Sequence, residues 1–356
     1  MSPSDFYELA SGRRRGVGAS LTRGLLSVAA VGYSTAVRLR NWRYDRGLAA
    51  SHAAPTPVVC IGNLTVGGTG KTPLTAWIAR WFRRRDVRVS IVSRGYGATD
   101  GARNDEALEL EQQLPVVPHL QNVDRVAGVR TAVEEFESQV VLLDDGFQHR
   151  RLRRDLDVVL LDALEPFGFG RVLPRGLLRE PLVGLRRAGV VVLSRADLID
   201  EVERRRIRDV VCRFNPAAPW CEVRHAPRRL VDSAGGETSL DALHGRRVLA
   251  FCGIGNPEGF RRTLAAQGCE LVGFETFADH HPYARADVER LTARARETRA
   301  DEIVCTLKDL VKIRQDRLAD RPLRAVVVEI EFLAGEREFE KLLEPFVPAT
   351  PAASES

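Results

Sequence analysis

The sequence predicts an α/β fold: a parallel sheet covered on both faces, a smaller second α/β domain, and a basic amphipathic helix ahead of both. Three observations carry this. From Pro57 onward, short β-branched runs alternate with longer helical stretches. Around Arg224 to Gly245 the composition shifts to Arg, Pro, Gly and Ser before a new alternation begins. The first fifty residues follow a different pattern from everything after them. The expected division is 1–50 for the helix, 51–225 for the first domain, 226–345 for the second, and 346–356 for a frayed tail.

Val58 to Ile61 reads as the first strand, and Pro73 to Arg84 as a helix with Leu74, Trp77, Ile78 and Trp81 on one face. Val87 to Val92, Val140 to Leu143, Val158 to Leu161 and Val190 to Leu193 are further apolar runs bounded by charged or turn residues. Continuous apolar strands separated by helices imply a parallel sheet with both faces buried. Beyond the expected linker, strands are predicted at Val248 to Cys252, Leu271 to Phe274, Ile303 to Thr306 and Ala325 to Ile330, with a helix after Pro257.

Composition bounds the function. In 356 residues, 44% hydrophobic and 28% charged, there is ample material for a core, which excludes disorder of the whole chain. A net charge of +5 suits an anionic ligand or a membrane surface without arguing for nucleic acid. The six cysteines form no CxxC pair and no Cys/His cluster, so they read as reduced thiols, mostly buried, and zinc is not expected.

Between Ser11 and Arg46 stand Arg13, Arg14, Arg15, Arg23, Arg38, Arg40, Arg43 and Arg46, against the single acid Asp45. Val17, Leu21, Leu25, Val28 and Val31, spaced by threes and fours, form one helical stripe. The uncharged run Gly24 to Val37 is shorter than the roughly 20 residues of a spanning helix, so a transmembrane segment is not expected. With Trp42 and Tyr44 at its end, the segment suits a helix lying in the membrane interface, its arginines on lipid phosphates. The competing reading is a core helix with solvated arginines. A cleaved signal peptide is disfavoured, because a nucleotide site follows almost at once.

That site is Thr65-Val66-Gly67-Gly68-Thr69-Gly70-Lys71-Thr72, directly after a strand and directly before a helix. Glycines let successive N–H groups turn inward around phosphate oxygens, and the helix amino terminus adds partial positive charge. Lys71 would reach the β- and γ-phosphates of ATP, and the Thr72 hydroxyl would ligate Mg²⁺. The first position is Thr65 rather than the usual glycine. The fold class thus sharpens to a P-loop NTPase type. Its second requirement, a carboxylate at the end of a neighbouring strand, is met by Asp144 and Asp145 after Val140 to Leu143. Ser194-Arg195-Ala196-Asp197 resembles a guanine-reading motif only faintly, lacking its Asn and Lys. Gly253, Gly255 and Gly259 have the wrong spacing for a dinucleotide fingerprint and fit a plain strand-to-helix turn.

Several phrases together resemble the tetraacyldisaccharide 4'-kinases of lipid A biosynthesis. They are Gly62 to Pro73, Ser93-Arg94-Gly95-Tyr96-Gly97, Asn104-Asp105-Glu106, and Asp144-Asp145-Gly146-Phe147-Gln148-His149-Arg150. Leu173-Pro174-Arg175-Gly176-Leu177-Leu178-Arg179-Glu180, Ala278-Asp279-His280-His281 and Lys308-Asp309 complete them, in the family's order and across nearly the whole chain. The Thr65 start is also the family's own version of the loop, while Asn104 stands where the family often has glycine. The resemblance implies transfer of the ATP γ-phosphoryl group to the 4'-hydroxyl of a tetraacylated glucosamine disaccharide 1-phosphate, giving lipid IVA. It also implies peripheral attachment to the cytoplasmic face of the inner membrane. Asp105, paired with His280, would take the hydroxyl proton late in the transfer, while Lys71, Mg²⁺ and the loop amides neutralise charge. On this reading Asp105 lies in the first domain and His280 in the second. The readings from other classes are a regulatory P-loop NTPase or metal-insertion GTPase, and a non-enzymatic membrane-binding module.

Overall fold

The computed structural model describes residues 3–95, 105–279 and 281–348. Tyr96, Gly97, Asn104, His280 and positions 349–356 of the expected tail lie outside the described residues. Helices α1 (Pro3–Ser11) and α2 (Val17–Asp45) open the chain. The alternation follows as β1 (Val58–Asn63), α3 (Lys71–Arg83), β2 (Val89–Ser93), α4 (Asp105–Gln113), β3 (His119–Gln121) and α5 (Arg125–Glu134). Next come β4 (Val140–Asp144), β5 (Leu156–Asp162), β6 (Val190–Ser194) and α6 (Glu201–Phe214). It continues as β7 (Trp220–Val231), β8 (Glu237–Ser239), β9 (Arg247–Cys252), α7 (Pro257–Ala265), β10 (Glu270–Thr276) and α8 (Arg285–Glu297). The last elements are β11 (Glu302–Thr306), α9 (Leu307–Ile313), β12 (Arg317–Leu318), β13 (Arg321–Ala334) and α10 (Glu336–Leu343). Each apolar run named from the sequence is a strand here, with ends moved by a residue or two, except that β13 extends four residues beyond Ala325 to Ile330 at each end.

The chain divides into two compact units. The first comprises Met1–Arg94, Val117–Arg224 and Glu331–Ser356; the second comprises Gly95–Val116 and His225–Ile330.

In the first unit, strands run in the order β3-β2-β4-β1-β5-β6-β7 and every pairing is parallel. β1, β2, β4 and β6 are buried at every residue, as strands covered on both faces must be. The central β1 lies between β4 and β5, with Ile61 opposite Asp144, so both carboxyl ends reach one edge of the sheet. Phe147, Leu161, Leu185 and Val211 belong to the core beside these strands. α2 leaves its stripe outside: Val17, Leu21, Leu25, Val28 and Val31 are all at least 65% exposed, which removes the core-helix reading for that face. Its other face is tied down, the Tyr33 hydroxyl donating to the Arg179 carbonyl at 2.7 Å and Asn41 to Glu180 at 3.0 Å. Among the described residues no helix is long and apolar enough to cross a membrane.

In the second unit β10-β9-β11-β13 form a parallel set, with β12 antiparallel on β13 and β8 antiparallel on β7. Phe251, Leu291, Ile303, Leu310 and Leu323 fill the core on one side of it. Helix α4 packs on α9. Of the six cysteines, Cys60, Cys221, Cys252 and Cys305 are buried, Cys269 is half-buried and Cys212 exposed; none is bonded to another.

Three expectations about organisation are corrected. Arg224 to Gly245 is not a linker, because β7 and β8 occupy half of it. Residues 331–348 return to the first unit, where Phe332 and Phe339 flank Trp77 at ring separations of 5.0 and 5.7 Å. Asp105 belongs to the second unit, held there by the seating of α4 on α9.

Candidate active site

β1 ends at Asn63, and the loop Thr65–Thr72 carries the chain into α3. Gly67 and Gly70 hold φ values of 113° and 85°, in the region that side chains disfavour, so the loop's shape depends on glycine at both places. Gly70 caps α3 with no side chain accepting from the helix, and the first turn contains no acid. The partial charge of the helix start is therefore left for an anion. Among the described residues the buried Thr69 hydroxyl has no hydrogen-bond partner. A buried polar group left so is costly, and a phosphate oxygen in the loop would satisfy it.

Lys71 lies at the centre. Its Nζ is 3.3 Å from Asn63 Oδ1 and 3.4 Å from Asp145 Oδ1, with the side chain 11% exposed. Asn63 in turn donates to the Thr65 carbonyl at 2.8 Å, so one amide fixes the loop's first residue and its lysine together. Asp145 also takes the Arg179 guanidinium on both oxygens at 2.8 Å. Burial alone would raise its carboxyl, but Lys71 and Arg179 together outweigh that and hold it below the usual carboxylate range. The neighbouring Asp144 is buried and accepts from the Thr75 hydroxyl at 3.4 Å. Thr72, Asp144 and Asp145 supply hard oxygen donors beside a phosphate cradle, the chemistry that Mg²⁺ requires.

A second segment buttresses the loop. The Val66 amide donates to the Leu177 carbonyl at 2.8 Å, and the Arg179 amide to Leu64 at 2.7 Å. Glu180, fully buried, is met by Arg187, by Gln148 at 2.9 Å and by Asn41 at 3.0 Å, so its charge is compensated on several sides. Arg195 bonds Asp162 and reaches the Gly68 carbonyl at 3.2 Å. Of these, Asn63, Gln148, Arg179 and Glu180 stand inside motifs quoted from the sequence without a role; only their contacts assign one. Arg195 stands in the faint guanine-reading phrase and holds the loop instead.

Of the remaining predicted residues, His280 lies outside the described residues and Asp105 belongs to the second unit. Asp105 opens α4 in the second unit, 2.9 Å from Lys312 Nζ. Lys312 also donates to the His281 carbonyl at 3.3 Å. Asp279 is 3.9 Å from Lys308 Nζ, and the His281 ring meets Asp287 at 2.9 Å. Buried Asp309 accepts from the Thr306 hydroxyl at 2.6 Å, the Tyr283 hydroxyl at 2.9 Å and the Gly253 amide at 3.2 Å. Glu109, one turn beyond Asp105, is pushed up to about 7 by burial, with Lys308 opposing.

A phosphate loop opening a helix, its lysine facing an acidic strand end, defines the class as a P-loop phosphotransferase. A family model described as Tetraacyldisaccharide-1-P 4'-kinase (LpxK) matches residues 22–347, and the chain belongs to that family. The chain is 41% identical over 342 residues to a tetraacyldisaccharide 4'-kinase of Anaeromyxobacter sp. (strain Fw109-5), covering 91% of this chain and 92% of that one. It is 37% identical over 349 residues to the Geobacter sulfurreducens enzyme of the same name, covering 93% and 96%. Among solved structures it is similar to LpxK from Aquifex aeolicus in complex with ATP, with a TM-score of 0.75 and 28% identity over 92% of this chain and 100% of that one.

Proposed function

We propose that this protein transfers the γ-phosphoryl group of ATP to the 4'-hydroxyl of tetraacyldisaccharide 1-phosphate, forming lipid IVA in lipid A biosynthesis. The observation that carries the reading is a family match over 22–347 in a chain whose phosphate loop is complete.

A sugar hydroxyl is a poor nucleophile and the triphosphate repels it, so catalysis rests on charge neutralisation and positioning. Lys71 and the loop amides bind and orient the β- and γ-phosphates. Thr72 and the Asp144–Asp145 pair would hold Mg²⁺, which would supply further charge neutralisation. Arg179 keeps Asp145 in place beside Lys71. Asp105, with His280, accepts the hydroxyl proton as the transfer completes. The exposed apolar stripe of α2, with its arginines, seats the protein peripherally on an anionic membrane, on the cytoplasmic face where ATP and the lipid acceptor meet.

Incubation with γ-labelled ATP and the disaccharide acceptor tests the reading. Label in the lipid is the expected result. Label only as free phosphate would favour a regulatory NTPase.

A further inference from the structure

Lys312 is unlike the chain's surface cations. Its side chain is only 9% exposed, in an ion pair at 2.9 Å with Asp105 and a hydrogen bond at 3.3 Å to the carbonyl of His281. Taking an ammonium this far from water costs several kcal/mol unless the site compensates it. Asp105 keeps 24% of its side chain exposed.

The charged groups around this pair are otherwise engaged. Lys308 faces Asp279, and Asp309 is bonded by Thr306, Tyr283 and the Gly253 amide. Glu106 and Glu109 lie on the same helix as Asp105, and the His281 ring is turned to Asp287. Lys312 thus joins two stretches far apart in sequence: the first turn of α4 and the backbone directly after His280. We propose that Lys312 is the positioning residue of the acceptor-activating group, one cation holding Asp105 in register with the backbone at His281. This rests on the assignment of Asp105 and His280 above.

The chemistry suits such a device. In a loose phosphoryl transfer the hydroxyl proton leaves late, so a base of modest strength suffices and its placement governs the rate. A carboxylate held by an ammonium gains a fixed rotamer. Misplacement of a reacting group by about 1 Å costs on the order of 10²-fold.

The test compares Lys312→Met, Lys312→Arg, Asp105→Asn and the double variant Asp105→Asn/Lys312→Met, with ATP and tetraacyldisaccharide 1-phosphate as substrates. Lys312→Met is expected to lower kcat by about 10²-fold while both KM values stay near wild type. Lys312→Arg should recover most of the loss, and Lys312→Met should cost nothing further on the Asp105→Asn background. A role confined to seating α4 on α9 would instead show as a lowered melting temperature with kcat intact. If the Met variant does not fold by circular dichroism, Lys312→Gln takes its place in the same comparison. Normal kcat without the ammonium, or a loss that multiplies with Asp105→Asn, overturns the proposal. Full kcat in Asp105→Asn would overturn the base assignment itself, whatever Lys312 does.

Discussion

Arg179 meets both carboxylate oxygens of Asp145 at 2.8 Å, while Lys71 stands 3.4 Å from the same carboxylate. One anion is thus shared between two cations: Arg179, which holds it, and Lys71, which we propose for phosphate. Lys71→Ala should reduce kcat by several orders of magnitude with the fold intact, since stabilisers of this kind are worth about 3 kcal/mol or more. Arg179→Ala should be milder, roughly 10- to 10²-fold, because it removes hydrogen bonds to a charge worth about 1.5–3 kcal/mol. Steady-state kinetics checks the order; Arg179→Ala matching wild type would dissolve the link between buttress and loop.

The exposed stripe of α2 makes the membrane reading testable without disturbing the core. Leu25 and Val28 are each 74% exposed. Replacing both with Asp should leave the melting temperature unchanged and weaken cosedimentation with anionic vesicles by tenfold or more, at about 1.5–3 kcal/mol per buried aliphatic side chain. High salt should weaken binding of the unmodified protein, because arginine–phosphate attraction is screened. Undiminished vesicle binding by the double variant would remove the stripe from the interface.

Asp105 and His280 are expected to act as one unit. Each alanine substitution should depress kcat, and the double variant should be hardly worse than the more damaging single one. ATP affinity should change little, since neither belongs to the phosphate loop. A double-mutant cycle on kcat decides it, and independent multiplicative losses would give the two residues separate tasks.

Glu109 makes stability depend on pH. Its folded value of about 7 lies above the ordinary 4.5, so between those values the folded state binds more proton than the unfolded. Its contribution is full below pH 4.5 and is lost as pH rises through 7. Glu109→Gln should therefore raise stability at pH 8, by on the order of 1–3 kcal/mol, with the gain vanishing towards pH 4.5. Thermal denaturation at both pH values checks the sign.

Sequence by itself determined the features whose physics is local. A glycine-rich run between an apolar strand and a helix, with a lysine at the helix start, has the makings of an anion cradle in its local chemistry alone. Apolar residues spaced by threes and fours fix which side chains share a helix face, as α2 shows. Composition misled at Arg224 to Gly245, where arginines, glycines and proline suggest a linker. Val223, Ala226 and Leu230 of β7 are buried while Arg224 and Arg228 are exposed, and a strand without clean alternation is easily mistaken for a loop. Only the tertiary structure decided which distant stretches meet. The pairing of Arg179 with Asp145, the return of Phe332 and Phe339 to Trp77, and the seating of Asp105 against Lys312 join residues separated by tens to hundreds of positions. No local periodicity records such contacts, because they follow from the order in which strands pair and from the burial of charge that pairing makes possible.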